Sequence, residues 1–156
     1  MKKQKGFSLI ELLIVVAIIL IIAAIAIPNL MRSRMAANES SAVGSLRTIN
    51  TAEVTYSTTY PATGFTALSA LGGTAPCTTA TSAAACLIDN VLATGTKSGY
   101  NFTATAGGGT PAVTYTSLAT AVAPGQSGQR AFCSDQSGVI YYGATSPTCA
   151  VGTNPL

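Results

Sequence analysis

Residues 5–28 read KGFSLIELLIVVAIILIIAAIAIP, and how that stretch folds decides the rest of the chain. No polar residue interrupts residues 12–27. Counting back to Phe7 gives an apolar stretch of about 21 residues, which as a helix spans about 31 Å and is long enough to cross the hydrocarbon core of a bilayer. Lys2, Lys3 and Lys5 lie ahead of it, so the N-terminus is expected to stay cytoplasmic and the C-terminus to be sent outward. Arg32 and Arg34 on the other flank make that bias modest. Glu11 is the one carboxylate inside the run. An unpaired carboxylate costs up to roughly 2.5 to 3.5 kcal/mol near the bilayer centre and less near an interface, so Glu11 calls for a partner.

Working outward, Pro28 removes one backbone hydrogen bond, and a kink is expected there, not a stop, because helical patterning resumes at once. Met35, Ala42, Leu46, Ile49, Ala52, Tyr56 and Tyr60 recur at steps of three, four or seven. They draw one apolar stripe that should lie against a small globular body. Tyr60-Pro61 and Gly64 supply an end to the helix near residue 60.

The remaining residues, 61–156, are rich in Gly, Thr, Ser and Ala, and few of them set a period. Tyr100, Phe102 and Ala104 alternate with polar neighbours as in a half-buried strand, and Val113 with Tyr115 suggests another. The best hairpin candidate is 130–142, where AFCSD and VIYY flank Gln136, Ser137 and Gly138 with Asp135 at the entry. Residues 72–85 and 106–111 read as loops, and no internal repeat is present. The expected fold class is α+β: a long N-terminal helix packed on a small antiparallel sheet. Its expected divisions are 1–6 as a leader, 7–28 as a membrane or filament-core helix, 29–60 as the amphipathic half of that helix, and 61–156 as the head.

Only 8% of the 156 residues are charged, against roughly 25% in an average soluble domain, which points to an apolar setting. Without residues 1–6 the chain keeps Arg32, Arg34, Arg47, Lys97 and Arg130 against Glu11, Glu39, Glu53, Asp89 and Asp135. That balance has no basic stripe with interleaved aromatics, so no specific nucleic-acid partner is expected. The chain has no histidine, and Asp89 and Asp135 are isolated, so neither a mixed Cys/His zinc site nor an acid–base pair is suggested. No enzyme, cofactor or metal is expected. Cys77, Cys86, Cys133 and Cys149 read as disulfides in an oxidising compartment. Sequence proximity favours Cys77 with Cys86 and Cys133 with Cys149, with crossed pairing left open.

The run Lys2-Lys3-Gln4-Lys5-Gly6-Phe7-Ser8-Leu9-Ile10-Glu11-Leu12-Leu13 resembles the class III signal of type IV prepilins and of the pseudopilins of type II secretion. The match covers about the first 35 residues. It implies a cut after Gly6 by prepilin peptidase, where a residue without a side chain can be drawn into a membrane-embedded active site. It also implies methylation of the new amine of Phe7, and pairing of Glu11 with such an amine, its own or that of a neighbouring subunit. The implied partners are identical or related subunits in a filament and an inner-membrane assembly platform. The implied location is a single pass of the inner membrane before assembly, and a pilus at the cell surface or in the periplasm afterwards. A disulfide loop from Cys133 to Cys149 would tie the C-terminal segment back to the hairpin, as in many pilins.

Two other readings stand beside a pilus subunit. The first is a secretion pseudopilin, although the acidic calcium loop carried by the major member of that family is poorly matched here by Asp135 followed by Gln, Ser and Gly. The second is a monomeric membrane-anchored domain. An ordinary secretory signal peptide with Ala24-Ile25-Ala26 as its cleavage site fits less well, because the run is long and holds Glu11.

Overall fold

The computed structural model describes residues 7–73, 76–144, 149 and 154–156. The chain divides into two compact units, Met1–Arg34 and Met35–Leu156. One helix, α1 (Leu9–Thr59), runs through both and keeps Pro28 in its interior. In residues 7–34 no side chain is buried, and all but Ala23 are exposed. A helix so apolar and so bare is long enough to cross a membrane, and it holds no core of its own.

The second unit has the core. Ala42, Leu46, Ile49, Ala52 and Tyr56 of α1 are buried in one cluster with Leu68, Leu71, Leu92, Tyr100, Phe102, Ala104, Ala119, Phe132 and Ile140. Met35 and Tyr60, at the two ends of the stripe, are only half-buried. Past Thr59 the chain turns through Tyr60, whose carbonyl accepts from the N–H groups of Thr63 and Gly64. Gly64 has a φ of 76°, and a Cβ there would fall on the backbone of Ala112, with which it forms a bridge. No other residue type fits that crossing without moving the backbone.

Two short helices follow that the sequence does not announce, α2 (Leu68–Leu71) and α3 (Asn90–Ala93). Asp89 caps α3, accepting from Leu92 N–H at 2.6 Å, and its second oxygen takes Lys97 Nζ at 2.7 Å. Between these helices the Cys77–Cys86 disulfide closes a loop whose far end is bonded back to α2 through Ala85 N–H and Leu87 N–H, and to Gly72 just past it through Cys86 N–H.

Six strands then form one antiparallel sheet in chain order: β1 (Thr96–Lys97), β2 (Tyr100–Ala106), β3 (Tyr115–Ala121), β4 (Ala131–Asp135), β5 (Ile140–Gly143) and β6 (Asn154–Pro155). Along β2 the buried residues are Tyr100, Phe102 and Ala104, the period of two expected when one face is covered. Phe102 pairs with Ala119, and Ala119 in turn with Phe132. The β4–β5 turn is built by Asp135, whose carboxylate accepts from Ser137 N–H at 2.9 Å and whose carbonyl accepts from Gly138 N–H at 2.9 Å. The expected strand around Val113 needs correction, since β3 starts at Tyr115 and Val113 is 70% exposed. Its neighbours explain this: Ala112 is committed to the crossing with residues 63–65. The carbonyl of Thr114 accepts from Gly107 N–H, which closes the β2–β3 loop before pairing begins. Cys133 on β4 is bonded to Cys149.

Candidate functional site

The residues singled out by sequence cluster at the start of α1. Gly6 and the rest of 1–6 lie outside the described residues. Phe7 is exposed, and Ser8 is the residue just before α1 begins. The helix opens with Leu12 N–H donating to the Ser8 carbonyl at 3.2 Å. The carboxylate of Glu11 reaches back, and its Oε2 accepts from Ser8 N–H at 2.9 Å. This is half of a capping box, with an acidic residue three positions past a serine satisfying a donor that the helix itself cannot. The arrangement also sets the negative charge at the positive end of the helix dipole. Glu11 is therefore bound to the backbone N–H of the residue after Phe7. The pattern Ser-x-x-Glu was the available signal for that bond.

Pro28 lies in α1 without ending it. The cysteines are well apart from Glu11 in sequence, in the second unit. Among the described residues, no group of three or more Cys, Asp or Glu could hold a metal ion.

Comparison with known proteins bears on this first segment. Residues 1–27 match the family model described as the prokaryotic N-terminal methylation motif. A 40-residue stretch, 26% of this chain, is 60% identical to the type IV wide pilus major component PilA4 of Thermus thermophilus and covers 30% of that protein. A 54-residue stretch, 35% of this chain, is 46% identical to the type IV major pilin protein PilA of Myxococcus xanthus and covers 24% of that protein. Over this part of its length the chain is similar to type IV pilins. The likeness spans less than a third of the length of either relative, and no solved structure matches the chain.

The second unit holds two further buried carboxylates. Both lie on the buried stripe of α1, where positions 35, 39, 42, 46, 49, 53, 56 and 60 step by four and three in turn. Glu39 is 8% exposed. Its Oε1 accepts from the N–H groups of Gln129 at 2.9 Å and Arg130 at 3.2 Å, and its Oε2 from Arg130 Nε at 2.8 Å. The Arg130 guanidinium is stacked over the rings of Phe132 and Tyr142, 5.5 and 5.4 Å from their centroids. Burial works to raise the pKa of Glu39, but the two backbone donors and Arg130 together hold it below the usual carboxylate range. Beside it, burial and then the charge of Glu39 push the Tyr100 phenol up to about 12, and its hydroxyl donates to the Arg130 carbonyl at 2.7 Å.

Glu53 is fully buried and accepts a single bond, from Thr66 N–H to Oε2 at 3.1 Å. Near it Tyr115 donates its hydroxyl to Asn50 Oδ1 at 3.0 Å, and Asn50 Nδ2 donates to Ser134 Oγ at 2.8 Å. The signal missed in both cases was a charged residue in phase with an apolar stripe. The partners of Glu39 sit far along the chain, and that of Glu53 is a backbone N–H past the helix end, so no local pattern marks either.

Proposed function

We propose that this chain is a structural, non-catalytic subunit of a type IV pilus. It is inserted as a single-pass inner-membrane precursor with residues 1–6 on the cytoplasmic side. Prepilin peptidase cuts after Gly6 and methylates the new amine of Phe7. The subunit then polymerises with identical or related subunits through residues 7–28, on an inner-membrane assembly platform, into a filament that serves adhesion, motility or DNA uptake. The observation that carries this reading is the contrast in burial. The head is closed around its own core, whereas the apolar helix of residues 7–34 buries none of its side chains and needs lipid or other copies to cover it.

Glu11 supplies the register. While the leader is attached, the Ser8 N–H satisfies it. After cleavage the Phe7 amine, from its own chain or a neighbour's, offers a full positive charge at the same end of the helix. A misplaced subunit would leave both charges unpaired in an apolar medium, which is costly. Pro28 would let the helix bend where the filament core meets the heads.

The test is made in cells that carry the assembly machinery. Mature chains should begin at Phe7 and carry one added methyl group by mass spectrometry. Glu11→Leu should leave the subunit processed and membrane-bound while sheared surface filaments fall by at least about tenfold, the scale set by an uncompensated charge in an apolar core. Mature chains beginning elsewhere, or a full filament yield from Glu11→Leu, would overturn the proposal.

A further inference from the structure

Glu53 has no exposed surface, one hydrogen bond, and an Oε1 with no partner among the described residues. Titratable groups around it are few. On α1 the nearest in phase is Tyr56, whose hydroxyl donates to the Ser82 carbonyl, while the nearest acid, Glu39, lies about 21 Å along the helix and is engaged by Arg130. On β3 it is Tyr115, whose phenol feels the charges of Glu53 and of Asp135 at the end of β4. On the segment after α1 there is only the Thr66 N–H. The other ion pair among the described residues occupies Lys97 with Asp89. No cation therefore answers Glu53 among the described residues, and an ionised carboxylate there would have one N–H for two oxygens.

The backbone of residues 63–66 is otherwise hydrogen-bonded to its own turn and to one residue of the β2–β3 loop. Thr63 and Gly64 N–H bond back to Tyr60, Phe65 N–H to Ala112 O at 3.0 Å, and Ala112 N–H to Thr63 O at 2.9 Å. The Phe65 ring packs on Tyr115 with centroids 4.8 Å apart. Tyr115 is tied to α1 through Asn50 and Tyr60 through its packing on Tyr56, and Glu53 is the hydrogen-bonded link from residues 63–66 to the buried face of α1. We infer that Glu53 is a proton-operated latch: as the neutral acid it holds residues 63–66 against α1, and its ionisation releases that segment.

Burial outweighs the Thr66 N–H bond and pushes the Glu53 carboxyl up to about 7. Because the folded pKa lies above the unfolded one, the head binds the proton more tightly when closed. The stabilisation is fully present below about pH 4.5 and is lost as pH rises through about 7. With no histidine in the chain, the side chain that ordinarily titrates in this window is absent. The device belongs to the head and does not depend on filament assembly, so it stands or falls separately from the proposed function.

The experiment uses the full chain in detergent micelles. Amide hydrogen exchange at residues 63–66 and 112, corrected for intrinsic base catalysis, is followed from pH 5 to 8.5 alongside the carbon-13 signal of the Glu53 carboxyl. The opening equilibrium of that segment should rise about 100-fold over the range, with its midpoint tracking the Glu53 titration near neutral pH. Amides of β2 and β4 should stay protected, and Glu53→Gln should remove the pH dependence. A Glu53 carboxyl already ionised at pH 5.5, a protection profile flat with pH, or a loss of protection spread evenly over the sheet would each overturn the latch. Where Glu53→Gln does not fold, the titration and exchange of the unmodified chain decide the matter alone.

Discussion

The two ends of the buried face of α1 carry the same residue in the same phase, and the protein treats them oppositely. Glu39 meets two backbone N–H donors and a guanidinium; Glu53 meets one N–H and no cation among the described residues. Both are removed from water, so burial alone raises both. What separates them is the number of donors that come with burial, which decides whether the buried group remains a carboxylate or becomes an acid. The first end is then a fixed anchor for the β3–β4 loop. The second is an anchor whose strength depends on pH. Breaking or exchanging those donors tests the contrast.

The largest effect is expected from Glu39→Ala. It leaves the N–H groups of Gln129 and Arg130 without an acceptor and Arg130 without its counter-ion. Gln129 and Arg130 are exposed residues, so water can replace part of what is lost, and the loss should be about 2 kcal/mol in urea denaturation of the full chain. Glu39 also contributes an acid limb. Its folded pKa is below the unfolded value, so its stabilisation is present above about pH 4.5 and is lost as pH falls through the folded pKa. Glu39→Ala should lack that part of the limb. A loss under about 1 kcal/mol would mean that the loop is held by other bonds, such as that from Asn38 Nδ2 to Ser127 O at 2.8 Å.

Arg130→Met should move the first end toward the second. The backbone donors stay, the cation goes, and with it the stacking on Phe132 and Tyr142. The expected cost is about 1 to 2 kcal/mol, kept small by the partial exposure of the guanidinium. The more telling readout is the Glu39 carboxyl in a carbon-13 titration, which should rise once Arg130 no longer opposes burial. A Glu39 titration unchanged by Arg130→Met would show that the two backbone donors suffice, and the comparison would then rest on donor count alone.

How much of this could be read in advance differs between the two units for physical reasons. An uninterrupted apolar run has one stable backbone solution in an apolar setting, so α1 was legible from residues 12–27, and its continuation from the stripe beyond Pro28. The β4–β5 hairpin was legible because Asp135, Ser137 and Gly138 build their own turn. β3 was placed two residues early, because small residues dominate residues 111–121 and the loop bonds of Ala112 and Thr114 come from outside the segment. The short helices α2 and α3 are too brief to set a period. Glu11 was conspicuous through its cost in lipid, yet that same reading hid its local bond to Ser8 N–H. Glu39 and Glu53 were passed over because the stripe was traced through apolar residues alone. Their phase was visible, but their partners were not, since Gln129 and Arg130 lie about 90 positions from Glu39 and the Thr66 N–H that meets Glu53 is a backbone group that no residue type marks.

The smallest effect, and the finest probe of the Glu53 end, is Tyr115→Phe. The hydroxyl donates to Asn50 Oδ1, which in turn orients Asn50 Nδ2 toward Ser134 Oγ. Asn50 is half-buried, so water can replace the lost donor, and the cost at neutral pH should be about 1 kcal/mol. The alkaline limb gives a separate readout. Burial, then the charges of Glu53 and Asp135, push the folded phenol up to about 12, above its ordinary value of 10. The stabilisation from that shift is present below about pH 10 and is lost as pH rises toward 12, so the phenylalanine variant should lose less stability over that interval. Tyr100 shares the behaviour, so the limb should shrink without vanishing. Because Glu53 is one cause of the Tyr115 shift, Glu53→Gln should lower the Tyr115 midpoint, read from the ultraviolet absorbance of the phenolate. An unmoved midpoint would mean that burial alone sets the phenol, leaving the two groups side by side but uncoupled.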